Sequence, residues 1–124
     1  MCLILMASVT PANAENFSAP PSTAEIKTNI ASGKKTIIFF LNPNGGPCKA
    51  QNEILTTLQK SRKNNFNIAY VSAEQQENKQ AFYDYGVRGL PTLVLVDSHG
   101  MIGKVFSPGI QSAETLVAAL DGVK

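Results

Sequence analysis

The sequence predicts a single α/β domain built on a central mixed sheet of about four strands flanked by helices. Two continuous apolar runs, "TIIFFL" (residues 36–41) and "FNIAYVS" (residues 66–72), read as strands covered on both faces. The stretch between them is long enough for a helical crossover, so the two strands are expected to lie parallel with a right-handed connection. Farther on, "TLVLVDSHGMIGKVF" (residues 92–106) places two apolar runs around Asp97-Ser98-His99-Gly100, a hairpin that adds antiparallel strands. A length of 124 residues suits one domain rather than two.

The chain starts with "MCLILMASV", an apolar run too short to span a bilayer, followed by "TPANA". Ala12 and Ala14 give the small-x-small pattern of a signal-peptidase site, although no Lys or Arg precedes Lys27. An ordinary apolar N-terminal strand is the alternative. The export reading makes residues 1–14 a signal peptide and the protein periplasmic or otherwise exported. Cleavage after Ala14 removes Cys2, leaving Cys48 alone, no structural disulfide and no stable membrane span. The mature chain is expected to be a monomer.

Residues 15–23 are polar and contain Pro20-Pro21, which reads as a linker. A first helix is expected from Ser22, paired with Glu25 in a capping box, with Ile26 and Ile30 on one face and Gly33 at the exit. After the first strand, Pro47 fits the opening turn of a second helix that turns Ile54, Leu55 and Leu58 inward. A third helix runs through Ala81, Phe82 and Tyr85 to end at Gly86. A last one starts at Ser112 and buries Leu116, Val117 and Leu120.

Composition narrows the function. The net charge of +2 comes from scattered Lys and Arg, and "KSRK" (residues 60–63) reads as a solvated helix end. Nucleic-acid binding would need a denser basic stripe with interleaved aromatics, so it is not expected. Paired carboxylates, a Ser/His/Asp set and a phosphate loop are missing. No metal site and no cofactor are expected, because the single histidine, His99, cannot ligate a metal alone. Tyr83 and Tyr85 read as core and helix-face residues.

Two motifs carry a resemblance. "GGPCKAQ" (residues 45–51) resembles the C-G-P-C-K segment of thioredoxins, and "YGVRGLPTLVLVD" (residues 85–97) resembles the segment that bears their cis-proline, here Pro91. They lie some forty residues apart within the matching element order, so the chain resembles the thioredoxin-like superfamily over roughly residues 24–124. The resemblance implies a thioredoxin fold, with His99 distant from Cys48. It also implies a cis Leu90–Pro91 bond whose edge holds an extended peptide by strand addition.

Four departures from that family bear on activity. Gly45 stands where thioredoxins have the attacking cysteine, and Asn44 replaces the tryptophan before it. Phe39 replaces a buried aspartate that assists proton transfer, and Tyr70 stands where a lysine commonly pairs with that aspartate. Dithiol exchange needs a thiolate at the exposed helix N-terminus and a second thiol three residues on. Glycine provides no thiol, so ordinary dithiol turnover is excluded.

Two functions from different classes remain. The first is a binding module that holds extended peptides or partner proteins through Gly45, Gly46, Pro47, Leu90 and Pro91. The second is a monothiol oxidoreductase or thiol sensor acting through Cys48, with a partner thiol protein supplying the second sulfur. For Cys48 a buried, inert thiol is the simpler reading. The open N–H groups at Gly45 and Gly46 would suit an anion or carboxylate, but a glycine turn required by geometry is the plainer account.

Overall fold

The computed structural model describes residues 17–124, so the expected signal peptide lies outside the described residues. In order, the elements are α1 (Ala24–Ala31), β1 (Lys35–Leu41), α2 (Gly46–Ser61), β2 (Phe66–Ser72), a 3-10 turn (Gln76–Asn78), α3 (Lys79–Asp84), β3 (Thr92–Val96), β4 (Ile102–Val105) and α4 (Ala113–Gly122). The four strands form one mixed sheet in the order β2-β1-β3-β4. β1 and β2 run parallel from Lys35 opposite Phe66 to Leu41 opposite Ser72. β3 runs antiparallel to β1, with Thr36 opposite Val96 and Phe40 opposite Thr92.

Period-two alternation in β1 divides the core. Ile37 and Phe39 pack to one side with Leu55 and Leu58 of α2 and Leu116 and Leu120 of α4. Ile38 and Phe40 pack to the other side with Ile26 of α1 and Ala81 of α3. Leu93 and Leu95 join the first cluster, Val94 and Val96 the second. Both faces of the sheet are therefore dry, which explains why β1 and β3 read as unbroken apolar runs.

The start of α1 differs from the capping box expected at Ser22 and Glu25. Thr23 is the N-cap: its backbone is extended, and its hydroxyl accepts a hydrogen bond from the Ile26 N–H at 3.1 Å. Ser22 lies one residue too early to reach that turn and instead donates to Asp84 Oδ2 at 2.6 Å. The Glu25 carboxylate turns away from its own helix and accepts from the Tyr70 N–H on the β2 edge at 2.8 Å.

The stretch read as a linker is packed where it is described. The Ala19 N–H donates to the Gly100 carbonyl at 2.9 Å, and the Ile102 N–H donates to Phe17 at 2.6 Å. An antiparallel bridge of Ser18 with Met101 results, and Ala19 is buried. Tyr85 secures the next residue by donating its hydroxyl to the Pro20 carbonyl at 2.6 Å. Burial, and then neighbouring Asp84, raise the Tyr85 phenol well above its ordinary range. Tyr83, read with Tyr85 as a core or helix-face residue, is 82% exposed on the helix face, because the short α3 turns only Ala81 fully inward.

Candidate functional site

β1 delivers the chain to the turn Asn42-Pro43-Asn44, which opens α2. The Asn42 side-chain carbonyl accepts from the Asn44 N–H at 3.0 Å, and its backbone carbonyl accepts from the Gly45 N–H at 2.9 Å. The Asn44 side-chain amide donates to Glu74 Oε2 at 2.6 Å, tying this turn to the loop after β2. Gly45 is the N-cap of α2, and Pro47 lies in its first turn, where a missing N–H costs no helical bond.

Cys48 points inward from that turn. It is 3% exposed, and its sulfur accepts from the Asn42 N–H at 3.3 Å. The cluster around it is apolar and contains Phe39, Leu55 and Leu93, with Leu41 and Leu90 packed against it. Phe39 is fully buried and meets the Tyr70 ring at 5.7 Å between centroids. The Tyr70 hydroxyl donates to Asn52 Oδ1 at 2.9 Å. Burial, and secondarily the Glu25 charge, push its phenol up. Two aromatic residues thus fill the sites where thioredoxins carry an Asp and commonly a Lys. Neither takes up or gives up a proton near neutral pH.

The glycines are not required by the backbone. Gly45 has φ −87°, and a β-carbon there would meet the Asn42 carbonyl at 3.4 Å and Cys48 Sγ at 3.7 Å, which are ordinary contacts. A β-carbon on Gly46 would meet nothing within 4 Å. The account of a turn that demands glycine at these positions is corrected on that ground.

The Leu90–Pro91 peptide is cis. Pro91 is buried, and its carbonyl accepts from the Gly109 N–H at 2.9 Å. Among the described residues no hydrogen bond engages the Leu90 backbone N–H or carbonyl within secondary structure or outside it. The structure brings Cys48 and Leu90 into one packed cluster at the end of the sheet where β1 finishes and β3 begins. His99 lies in the hairpin turn past the other end of β3, with its N–H donated to Asp97 Oδ1.

Two features were missed from sequence. The arm of residues 107–111 closes over the cis-proline through Gly109, whose φ of +126° favours glycine. Gln51 is fully buried and grips that arm. The available signal was a polar residue at position 51, sharing the inward face of α2 with Leu55 and Leu58.

Residues 23–124 match the Thioredoxin-like domain family over most of the chain. The chain belongs to that family. No curated protein sequence matches it. Among solved structures, this thioredoxin-like protein is similar to an uncharacterized thioredoxin-like protein from Clostridium perfringens. The two share 27% identity over 73% of this chain and 71% of that one, with a TM-score of 0.66. A thioredoxin from Fasciola hepatica has a TM-score of 0.66 at 20% identity, covering 82% and 93% of the two chains. An exposed lipoprotein thioredoxin from Streptococcus pneumoniae has a TM-score of 0.64 at 18% identity, covering 79% and 90%. The fold is the thioredoxin fold, an α/β sandwich on a four-stranded mixed sheet. Among the described residues, no helix is long and apolar enough to cross a membrane.

Proposed function

We propose that this thioredoxin-like protein binds extended peptides or partner proteins at the Leu90–Pro91 edge, without dithiol turnover, as a monomer that is periplasmic or otherwise exported. One observation carries the reading: among the described residues the Leu90 N–H and carbonyl have no hydrogen-bond partner, while Leu90 packs on the cluster that holds Cys48 and the next residue, Pro91, is bonded to the 107–111 arm through Gly109. An extended peptide laid against Leu90 would satisfy both groups as a strand partner does. Redox turnover is disfavoured by the residues around Cys48. Gly45 faces Cys48 without a thiol, and Phe39 offers no proton acceptor. Export rests on the "ANA" pattern near residue 14 and on nothing in the fold.

Carboxymethylated insulin B chain tests the reading, because it is extended and has no thiol to react. Titrated into the protein, it should shift the amide resonances of Gly45, Gly46, Leu90 and Gly109, equally with and without reductant. Unmoved resonances at Leu90 would end the proposal.

The monothiol alternative draws on one feature, the missing side chain at Gly45, where a β-carbon would stand 3.7 Å from Cys48 Sγ. In that chemistry the Cys48 thiolate attacks a partner's disulfide, one partner sulfur bonds to Sγ, and the other leaves as thiolate. Iodoacetamide separates the two. Alkylation of folded protein at neutral pH favours the monothiol, and labelling only after unfolding favours the binding module.

A further inference from the structure

We propose that Gln51 is a positioning residue that couples helix α2 to the peptide rim, setting the height of the 107–111 arm over the cis-proline. The inference rests on the peptide-binding reading above and names the device that holds the site open at a fixed width.

Gln51 lies three residues after Cys48, on the same inward face of α2, and none of it reaches solvent. Its side-chain amide pairs with one backbone unit of the arm in both directions. Nε2 donates to the Gln111 carbonyl at 3.1 Å, and Oε1 accepts from the Gln111 N–H at 2.6 Å. This is the two-bond exchange of an antiparallel pair, made here by a side chain where no strand is available. Gln111 in turn folds its own amide back onto the Ser107 carbonyl at 3.1 Å, closing the arm on itself. Between these anchors, the Gly109 N–H meets the Pro91 carbonyl, and Ile110 is left 48% exposed on the rim.

The arm has two fixed points with different origins. Gly109 binds it to the loop that carries Leu90, and Gln51 binds it to the helix that carries Cys48 and Pro47. A peptide lying on Leu90 sits between parts that move together only while both bonds hold. An apolar residue at position 51 would fill the same volume more cheaply, yet it would leave the part-buried N–H and carbonyl of Gln111 without these partners. A buried amide stands where an apolar side chain would pack, and both of its polar ends are bonded to the arm, which fits a role in fixing geometry.

Gln51→Met keeps the volume and removes both bonds. In the absence of any peptide, it should lower the hydrogen-exchange protection of the Gly109 and Gln111 amides about tenfold or more beyond the change at core amides of β1. Leu58→Ala, a cavity in the same helix, serves as the control and should loosen all amides together. Gln51→Glu supplies a second test. A neutral Glu can accept from the Gln111 N–H and donate to its carbonyl, so protection of the arm should return in acid and fall as the carboxyl ionises. Carboxymethylated insulin B chain should bind Gln51→Met about tenfold more weakly than the parent protein. Unchanged arm protection in Gln51→Met, or pH-independent protection in Gln51→Glu, overturns the coupling whether or not any peptide binds. Loosened arm amides with undiminished B-chain binding overturn the role in positioning. Failure of the parent protein to bind the B chain ends the peptide reading, and with it the positioning role; the exchange data then still decide the coupling.

Discussion

A β-carbon built on Gly45 would stand 3.7 Å from Cys48 Sγ, with a backbone φ of −87° that any residue adopts. Gly45→Cys should therefore fold and, on mild oxidation, lose the mass of two hydrogens as a disulfide closes. It should remain a slow reductase of insulin with dithiothreitol as electron source, because Phe39 cannot take the proton that leaves Cys48. Adding Phe39→Asp should raise the rate and lower stability, since the carboxyl would be buried among apolar side chains and the Tyr70 ring. Ordinary thioredoxin rates from Gly45→Cys alone would contradict this account of Phe39. Two tyrosines bear on stability in alkali. Tyr70 and Tyr85 both have phenols raised above the unfolded value of about 10, chiefly by burial. The folded state thus holds these protons longer, so their contribution to stability is present below about pH 10 and is lost as pH rises further. Tyr85→Phe should lower the urea midpoint at neutral pH, through loss of the Pro20 bond, and flatten the alkaline decline.

Among the elements, α1 gives the simplest test of capping. Thr23→Ala should cost about 1 kcal/mol, read from the urea midpoint, because it leaves the Ile26 N–H without its side-chain acceptor. Ser22→Ala should cost less, since Ser22 caps no helix and its Asp84 partner is exposed. The residues alone favoured Ser22, because Glu25 three positions on completes a capping box with it. The choice fell to Thr23 because β2 claims the Glu25 carboxylate, a contact 45 residues distant in sequence. β1, β3 and the Leu90–Pro91 segment were legible for the opposite reason, since unbroken apolar runs and a dozen consecutive motif positions are local signals. Gln51 was not legible in its role. Its position on an inward face could be read, but its partner is a backbone unit 60 residues away. Gly89 lies where the same arm touches the cis-proline loop. A β-carbon there would come within 3.0 Å of Pro108 Cβ, so Gly89→Ala should push the arm outward and shift the Gly109 amide resonance.

At the scale of the molecule, the segment from Phe17 to Pro20 is a tie across the second core. A chain shortened to begin at Pro21 loses two backbone bonds to the hairpin, the buried Ala19 and the acceptor of the Tyr85 hydroxyl. Such a chain should unfold about 2–4 kcal/mol more easily, measured by urea titration. The tie also fixes orientation. Ala19 is bonded to Gly100, and the Lys124 carbonyl accepts from the Ser98 hydroxyl at 2.7 Å, so both ends of the described chain meet at the β3–β4 turn. That turn follows Val96, while Leu90 and Pro91 precede Thr92 at the other end of the same strand. Phe17 and Lys124 therefore both lie at the pole opposite Leu90 and Pro91. Held to a surface or a carrier at that pole, the protein would present the Leu90–Pro91 edge, the face proposed to bind peptide, outward.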